Sequence, residues 1–138
     1  MPRVGPTALP EGFGLMEGEY RLFLRGHVPG KKNAWKRSAK GGMHLPSSVR
    51  SEIDSLVLQA RAQWKREPLE AAAISASFYV KDGARDLDNA YTCIQDVLVK
   101  AGVIRNDTIK RVAAFSACAI ISTVEESVTV IVSEVETE

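Results

Sequence analysis

The chain has 138 residues, 18 Lys and Arg against 17 Asp and Glu, and 45% apolar residues. That length and mixture fit one globular domain with its own core, and they exclude collagen-like, low-complexity and charge-driven disordered chains. No run of about 20 apolar residues exists to span a membrane as a helix. Residues 1–18 lack the apolar centre of a secretory signal, so a soluble, cytoplasmic protein is expected.

The near-neutral net charge hides an asymmetry. From Tyr20 to Ser51 there are eight basic residues and no acidic one: Arg21, Arg25, Lys31, Lys32, Lys36, Arg37, Lys40 and Arg50. The other ten Lys and Arg face all 17 Asp and Glu. A basic block on an otherwise acidic chain fits a local polyanion contact, and it equally fits a solvated loop. The two cysteines, Cys93 and Cys118, lie in apolar-patterned segments without C-x-x-C spacing, which predicts buried, reduced thiols.

In chain order, residues 1–18, with three Pro and four Gly, read as a flexible arm, and residues 19–138 as the domain. Alternation from Tyr20 to Val28 predicts a first strand ended by Pro29-Gly30. Residues 29–46 read as a long basic loop, which in a compact domain points to function or disorder. Ser47 or Ser48 can cap a helix with Glu52 in its first turn, and Pro68 stops it. Its apolar stripe is Val49, Ile53, Leu56, Val57, Ala60 and Trp64.

Residues 71–80 predict a second strand, with Ile74, Ala76, Phe78 and Val80 on one face. A second helix is expected from about Asn89 to Ala101, with Gly102 beyond its end. Residues 109–121 and 128–135 predict two further strands, the last antiparallel to the third. The order is β-α-β-α-β-β. It predicts a small α/β (α+β) domain with a mixed four-stranded sheet and two helices.

The chemistry is expected in Arg85-Asp86-Leu87-Asp88-Asn89 and in Asn106-Asp107. Hard divalent cations take carboxylate oxygens. Residues i and i+2 of an extended segment point to the same side, so Asp86 and Asp88 can face one cation if residues 85–88 are extended. Asp107 joins them if the loop after the second helix folds back over the sheet. Such a cluster holds one or two Mg²⁺, which activate a water and stabilise charge on a leaving oxygen. Structural readings stand beside this one: Asp88 as a helix N-cap, Asn106-Asp107 as a turn pair, and Asp86 paired with a neighbour. Tyr91 stands where an EF-hand loop needs glycine, which weakens that reading of the D-x-D pair.

The run Asp86-Leu87-Asp88-Asn89, then Asp96-Val97-Leu98-Val99-Lys100-Ala101-Gly102, then Asn106-Asp107, resembles the RusA family of Holliday junction resolvases. A looser likeness covers about residues 20–135, including Gly42 to Leu45. The resemblance implies a homodimeric, Mg²⁺-dependent endodeoxyribonuclease, with Mn²⁺ as a substitute, that cleaves four-way DNA junctions in recombination and repair, acting at the nucleoid. It implies that Asp86, Asp88 and Asp107 are the catalytic, metal-binding carboxylates. Asn89, Asp96 and Lys100 are carried over as supporting residues. One departure is Thr92, which stands where the family has a lysine.

Lys31, Lys32, Lys36, Arg37, Lys40 and Arg85 are the expected DNA phosphate contacts, which give salt-dependent affinity without sequence preference. Trp35 can stack on a base or anchor the loop. His44 can meet a phosphate, and His27 has no partner at ligand spacing. Two other functions fit the residues: a junction-binding protein with a slow or inactive site, motivated by Thr92, and a phosphohydrolase acting on small molecules.

Overall fold

The computed structural model describes residues 18–30, 36–37, 42–83, 86–108, 111–121 and 125–136. Its elements are β1 (Glu19–Arg25), β2 (Lys36–Arg37), β3 (Met43–His44), α1 (Ser47–Gln63), β4 (Ala72–Val80), α2 (Leu87–Lys100), β5 (Val112–Ile121) and β6 (Ser127–Glu134). The fold is the expected β-α-β-α-β-β arrangement with a mixed four-stranded sheet and two helices. The stretch read as a loop also contains an antiparallel ribbon, in which Lys36 pairs with His44.

The sheet order is β1-β6-β4-β5. Parallel β4 and β5 need a crossover, and α2 supplies it. β6 runs antiparallel to β5, as expected, but is not its neighbour. It lies between β1 and β4 and pairs antiparallel with both. Burial explains the placement. Val128, Val130 and Val132 of β6 are wholly buried, whereas most of β5 is exposed.

One face of the sheet forms the core with both helices. Leu22 and Leu24, Ile74, Ala76 and Phe78, and the three β6 valines meet Ile53, Leu56 and Ala60 of α1 and Ile94, Val97 and Leu98 of α2. Cys93 is buried in that core, as expected. Cys118 is not: it is exposed on β5, with Sγ 3.5 Å from Ser77 Oγ on the opposite face. Neither cysteine is in a disulfide.

Several boundaries move for local reasons. β1 stops at Arg25 because Gly26 takes φ +120°, a conformation open to glycine. The N-cap of α1 is Pro46, without a side-chain cap bond, so Ser47 lies inside the helix and Glu52 beyond its first turn. The helix ends at Gln63, ahead of Pro68. Trp64 turns to extended backbone and packs edge-on against Tyr20, centroids 5.1 Å apart.

α1 also closes the β1 edge. Gln63 accepts from the Phe23 N–H at 2.9 Å and donates to its carbonyl at 2.7 Å. Gln59 does the same for Arg25, at 2.7 and 2.8 Å. The match is geometric: four helical residues rise about 6 Å and two strand residues about 6.6 Å.

Helix α2 ends as expected. Gly102 has φ +80°, its N–H bonds the Val99 carbonyl at 3.1 Å, and the Val103 N–H bonds that of Leu98 at 2.9 Å. This is a Schellman closure. Gly102→Ala should cost about 1 kcal/mol through left-handed strain, read as a lower denaturation midpoint.

Among the described residues no helix is long and apolar enough to cross a membrane.

Candidate functional site

The Asp86 corner forms where β4 gives way to α2. Asp86 is extended (φ −78°, ψ 116°), and its Oδ1 accepts from the N–H groups of Asp88 (3.0 Å) and Asn89 (3.4 Å). It is the N-cap, the role the sequence offered to Asp88. The helix therefore begins at Leu87, two residues earlier than expected, because a carboxylate at position 86 satisfies its free donors. The condition for Asp86 and Asp88 to face one cation, an extended segment through Asp88, is not met. Asp88 is a first-turn residue, favoured there by the helix dipole. Both carboxylates are exposed.

Asn89 is 4% exposed. A Cβ placed on Gly30 would lie 2.8 Å from its Nδ2, so only glycine fits unaltered at that approach. Gly30 is the residue before Lys31 in the sequence. Lys31, Lys32, Trp35, Lys40 and Arg85 lie outside the described residues. Lys36 and Arg37 form β2, and His44 on β3 is exposed.

Asp107 lies elsewhere. Leu69 bridges Ile104 in parallel, the Ala72 N–H bonds the Arg111 carbonyl at 2.7 Å, and Glu70 pairs with both Arg105 and Arg111. The loop is thus held at the N-terminal end of β4, whereas Asp86 follows its C-terminal end. The fourteen residues of α2 span the gap, about 20 Å at 1.5 Å per residue. The loop does not fold back over the sheet. The Arg105 bond and burial act in opposite senses on Glu70, and the arginines hold its carboxyl below the usual range. That contribution is present at neutral pH and is lost as pH falls through the carboxylate range.

Asn106 forms an Asx turn, accepting from the Thr108 N–H at 3.1 Å and its hydroxyl at 2.8 Å. Asp107 beside it is exposed. Asp96 and Lys100 stand on α2 about 15 and 20 Å from the Asp86 end. Asn89 alone of the supporting residues is at the corner.

Sequence reasoning missed the neighbours of Asp86. A pocket of about 160 Å³ at the C-terminal ends of β4 and β5 has Phe78, Val80, Ile121, Asp82, Asp86 and Glu126 among its lining. Glu126 Oε1 is 2.7 Å from His27 Nδ1, and its Oε2 accepts from the Lys81 N–H at 2.9 Å. His27 therefore has a partner, 99 residues away in sequence. The signal was strand pairing: the Gly26 N–H bonds the Glu126 carbonyl at 2.9 Å. A single strand pattern does not reveal its neighbour.

Among the described residues no group of three or more His, Cys, Asp or Glu converges on a cation position. No protein-family model matches the chain, and no curated protein matches it.

Proposed function

We propose that the chain is a Mg²⁺-dependent endodeoxyribonuclease that acts as a homodimer on four-way and other branched DNA. One juxtaposition supports this most. Exposed Asp86 and Asp88 stand at the N-terminus of α2, and Gly30, which leads into the basic segment, lies against Asn89 of the same turn.

Within one chain the three aspartates do not fit one cation, because Asp107 is about 20 Å from the Asp86 end. Two chains supply the set: Asp86 and Asp88 of one subunit with Asp107 of the partner subunit. Oxygen donors of this kind suit Mg²⁺ or Mn²⁺, and the cation supplies charge neutralisation at the reacting phosphate. Lys31, Lys32, Lys36, Arg37, Lys40 and Arg85 hold the DNA backbone, so affinity falls steeply with salt. Such contacts carry no sequence information and suit recognition of shape, with the nucleoid as the place of action.

The test is a labelled four-way junction and a linear duplex, each incubated with Mg²⁺ or chelator. Paired symmetrical nicks in the junction alone, lost in chelator, are expected. Equal cutting of the duplex, or no cutting in either cation, contradicts the proposal.

Thr92 favours a second reading, a junction-binding protein with a slow site. Its hydroxyl bonds the Asp88 carbonyl at 3.0 Å, one turn along from that carboxylate. Thr92→Lys puts a cation there. If the site is slow for want of charge, single-turnover cleavage should rise about tenfold, some 1.4 kcal/mol of barrier. An unchanged rate removes this reading.

A further inference from the structure

We propose that Arg105 and Arg111 form a site for a phosphodiester of the DNA backbone, and that the Glu70 carboxylate stands in for that phosphate in the free chain. The choice of DNA as the ligand rests on the proposed function; the pair of arginines does not.

Two guanidinium groups converge on one carboxylate. Arg105 donates from Nε to Oε1 of Glu70, and Arg111 donates from Nη1 to Oε2. Guanidinium N–H groups arranged about one oxyanion suit a phosphate as well as a carboxylate. Arg105's bond, with help from Arg111 and against desolvation, holds the Glu70 carboxyl below the usual range, so the pair selects a charged oxygen.

The arginines keep their places without the carboxylate. Arg111 Nη1 also donates to the Glu70 backbone carbonyl at 3.1 Å. The Leu69 N–H bonds the Val103 carbonyl at 2.8 Å, and the Ala72 N–H bonds that of Arg111 at 2.7 Å, so backbone bonds hold both ends of the loop. Exchange is also cheap. The Glu70 side chain is 51% exposed and that of Arg105 48%, and water screens ion pairs in such positions. A DNA phosphate releases condensed counterions when it enters, which an internal carboxylate cannot do.

Asp107 lies between the two arginines, two residues after Arg105 and four before Arg111. A phosphate held there belongs to the strand that meets Asp107. Glu67, Glu134 and Glu136 line a hollow with Glu70 in which neither arginine takes part. Like charge closes that side to a phosphate and leaves the Asp107 side for its approach.

Band-shift titration of a labelled four-way junction by the full chain, in chelator, tests the site. Glu70→Ala should tighten binding about tenfold, the size of one charge-assisted hydrogen bond. Arg105→Gln should weaken binding and lower the salt slope by about 1, as loss of one phosphate contact does. Combining the two substitutions should abolish the gain. Glu67→Ala removes the same charge outside the fork and should stay within about twofold, since exposed charges are screened. Binding that Glu70→Ala leaves unchanged or weaker, or an equal gain from Glu67→Ala, overturns the inference. Should Glu70→Ala fail to fold, Glu70→Gln keeps the size, loses the charge and should also tighten binding; no gain from it overturns the inference as well.

If no form of the chain binds the junction, the proposed function falls and inorganic phosphate reads the site. The Arg105 Nε–H resonance should then shift saturably, at lower phosphate in Glu70→Ala than in the wild type, and identical titrations overturn the site. Junction binding that Glu70→Ala does not tighten does the reverse: it keeps the DNA reading and removes the site.

Discussion

On the proposed function, Asp107→Asn should lower junction cleavage by about a hundredfold or more and should leave junction binding unchanged. The size follows from losing a charged oxygen donor, about 3 kcal/mol of transition-state stabilisation at 1.4 kcal/mol per factor of ten. Binding should persist because the proposal has the basic segment, not the carboxylates, hold the phosphates. Asp107 is exposed, so the substitution leaves the fold intact. Asp86→Asn should give the same loss for the same reason and is the informative change at that position. Asparagine caps a helix about as well as aspartate, whereas Asp86→Ala also removes the cap and costs about 1 kcal/mol of stability. Single-turnover cleavage and band-shift assays read rate and binding separately.

Phe78→Ala should cost about 3–5 kcal/mol, a large share of the 5–15 kcal/mol that holds a typical domain folded. Phe78 is 2% exposed at the C-terminal half of β4, paired between Val128 of β6 and Ala119 of β5. Its ring lies in the core cluster with the buried residues of α2. A fall of roughly 10–15 °C in the melting midpoint is expected. Leu58→Ala, on the exposed face of α1, is the contrast and should stay within about 0.5 kcal/mol. A Phe78→Ala melt within a few degrees of wild type would show that this part of the core is not close-packed.

The element order was legible because period-2 alternation in β1 and β4 and a 3.6-residue stripe in both helices are local signals. The end of α2 was legible too, since Gly102 has one obvious use. What was not legible is what depends on partners. The insertion of β6 between β1 and β4 is a pairing choice among strands of similar pattern, decided by which valines can be wholly buried. The start of α2 turned on which of two nearby aspartates caps it, and the open donors of Leu87's turn chose Asp86. Trp64 ended α1 before Pro68 because Tyr20, far off in sequence, offered its ring a better place. Glu70's two arginines fix the Asp107 loop at the far end of β4, and none of the four residues marks that role in sequence. The D-x-D pair was easy to find and its separation from Asp107 within the chain was not, because one is a spacing and the other a tertiary distance.

The most direct test of the two-chain site is complementation between two inactive variants. Asp86→Asn and Asp107→Asn are purified separately, mixed in equal amounts, allowed to exchange subunits and given labelled four-way junction with Mg²⁺. If each site takes Asp86 from one chain and Asp107 from the other, every mixed dimer has one intact site. Cutting should then return to about one quarter of the wild-type site number, as random pairing of two-fold dimers gives. Since one site remains per mixed dimer, the products should be single nicks rather than paired ones. A mixture as inactive as its parts, with subunit exchange verified by mass, would mean that the three carboxylates do not meet across two chains.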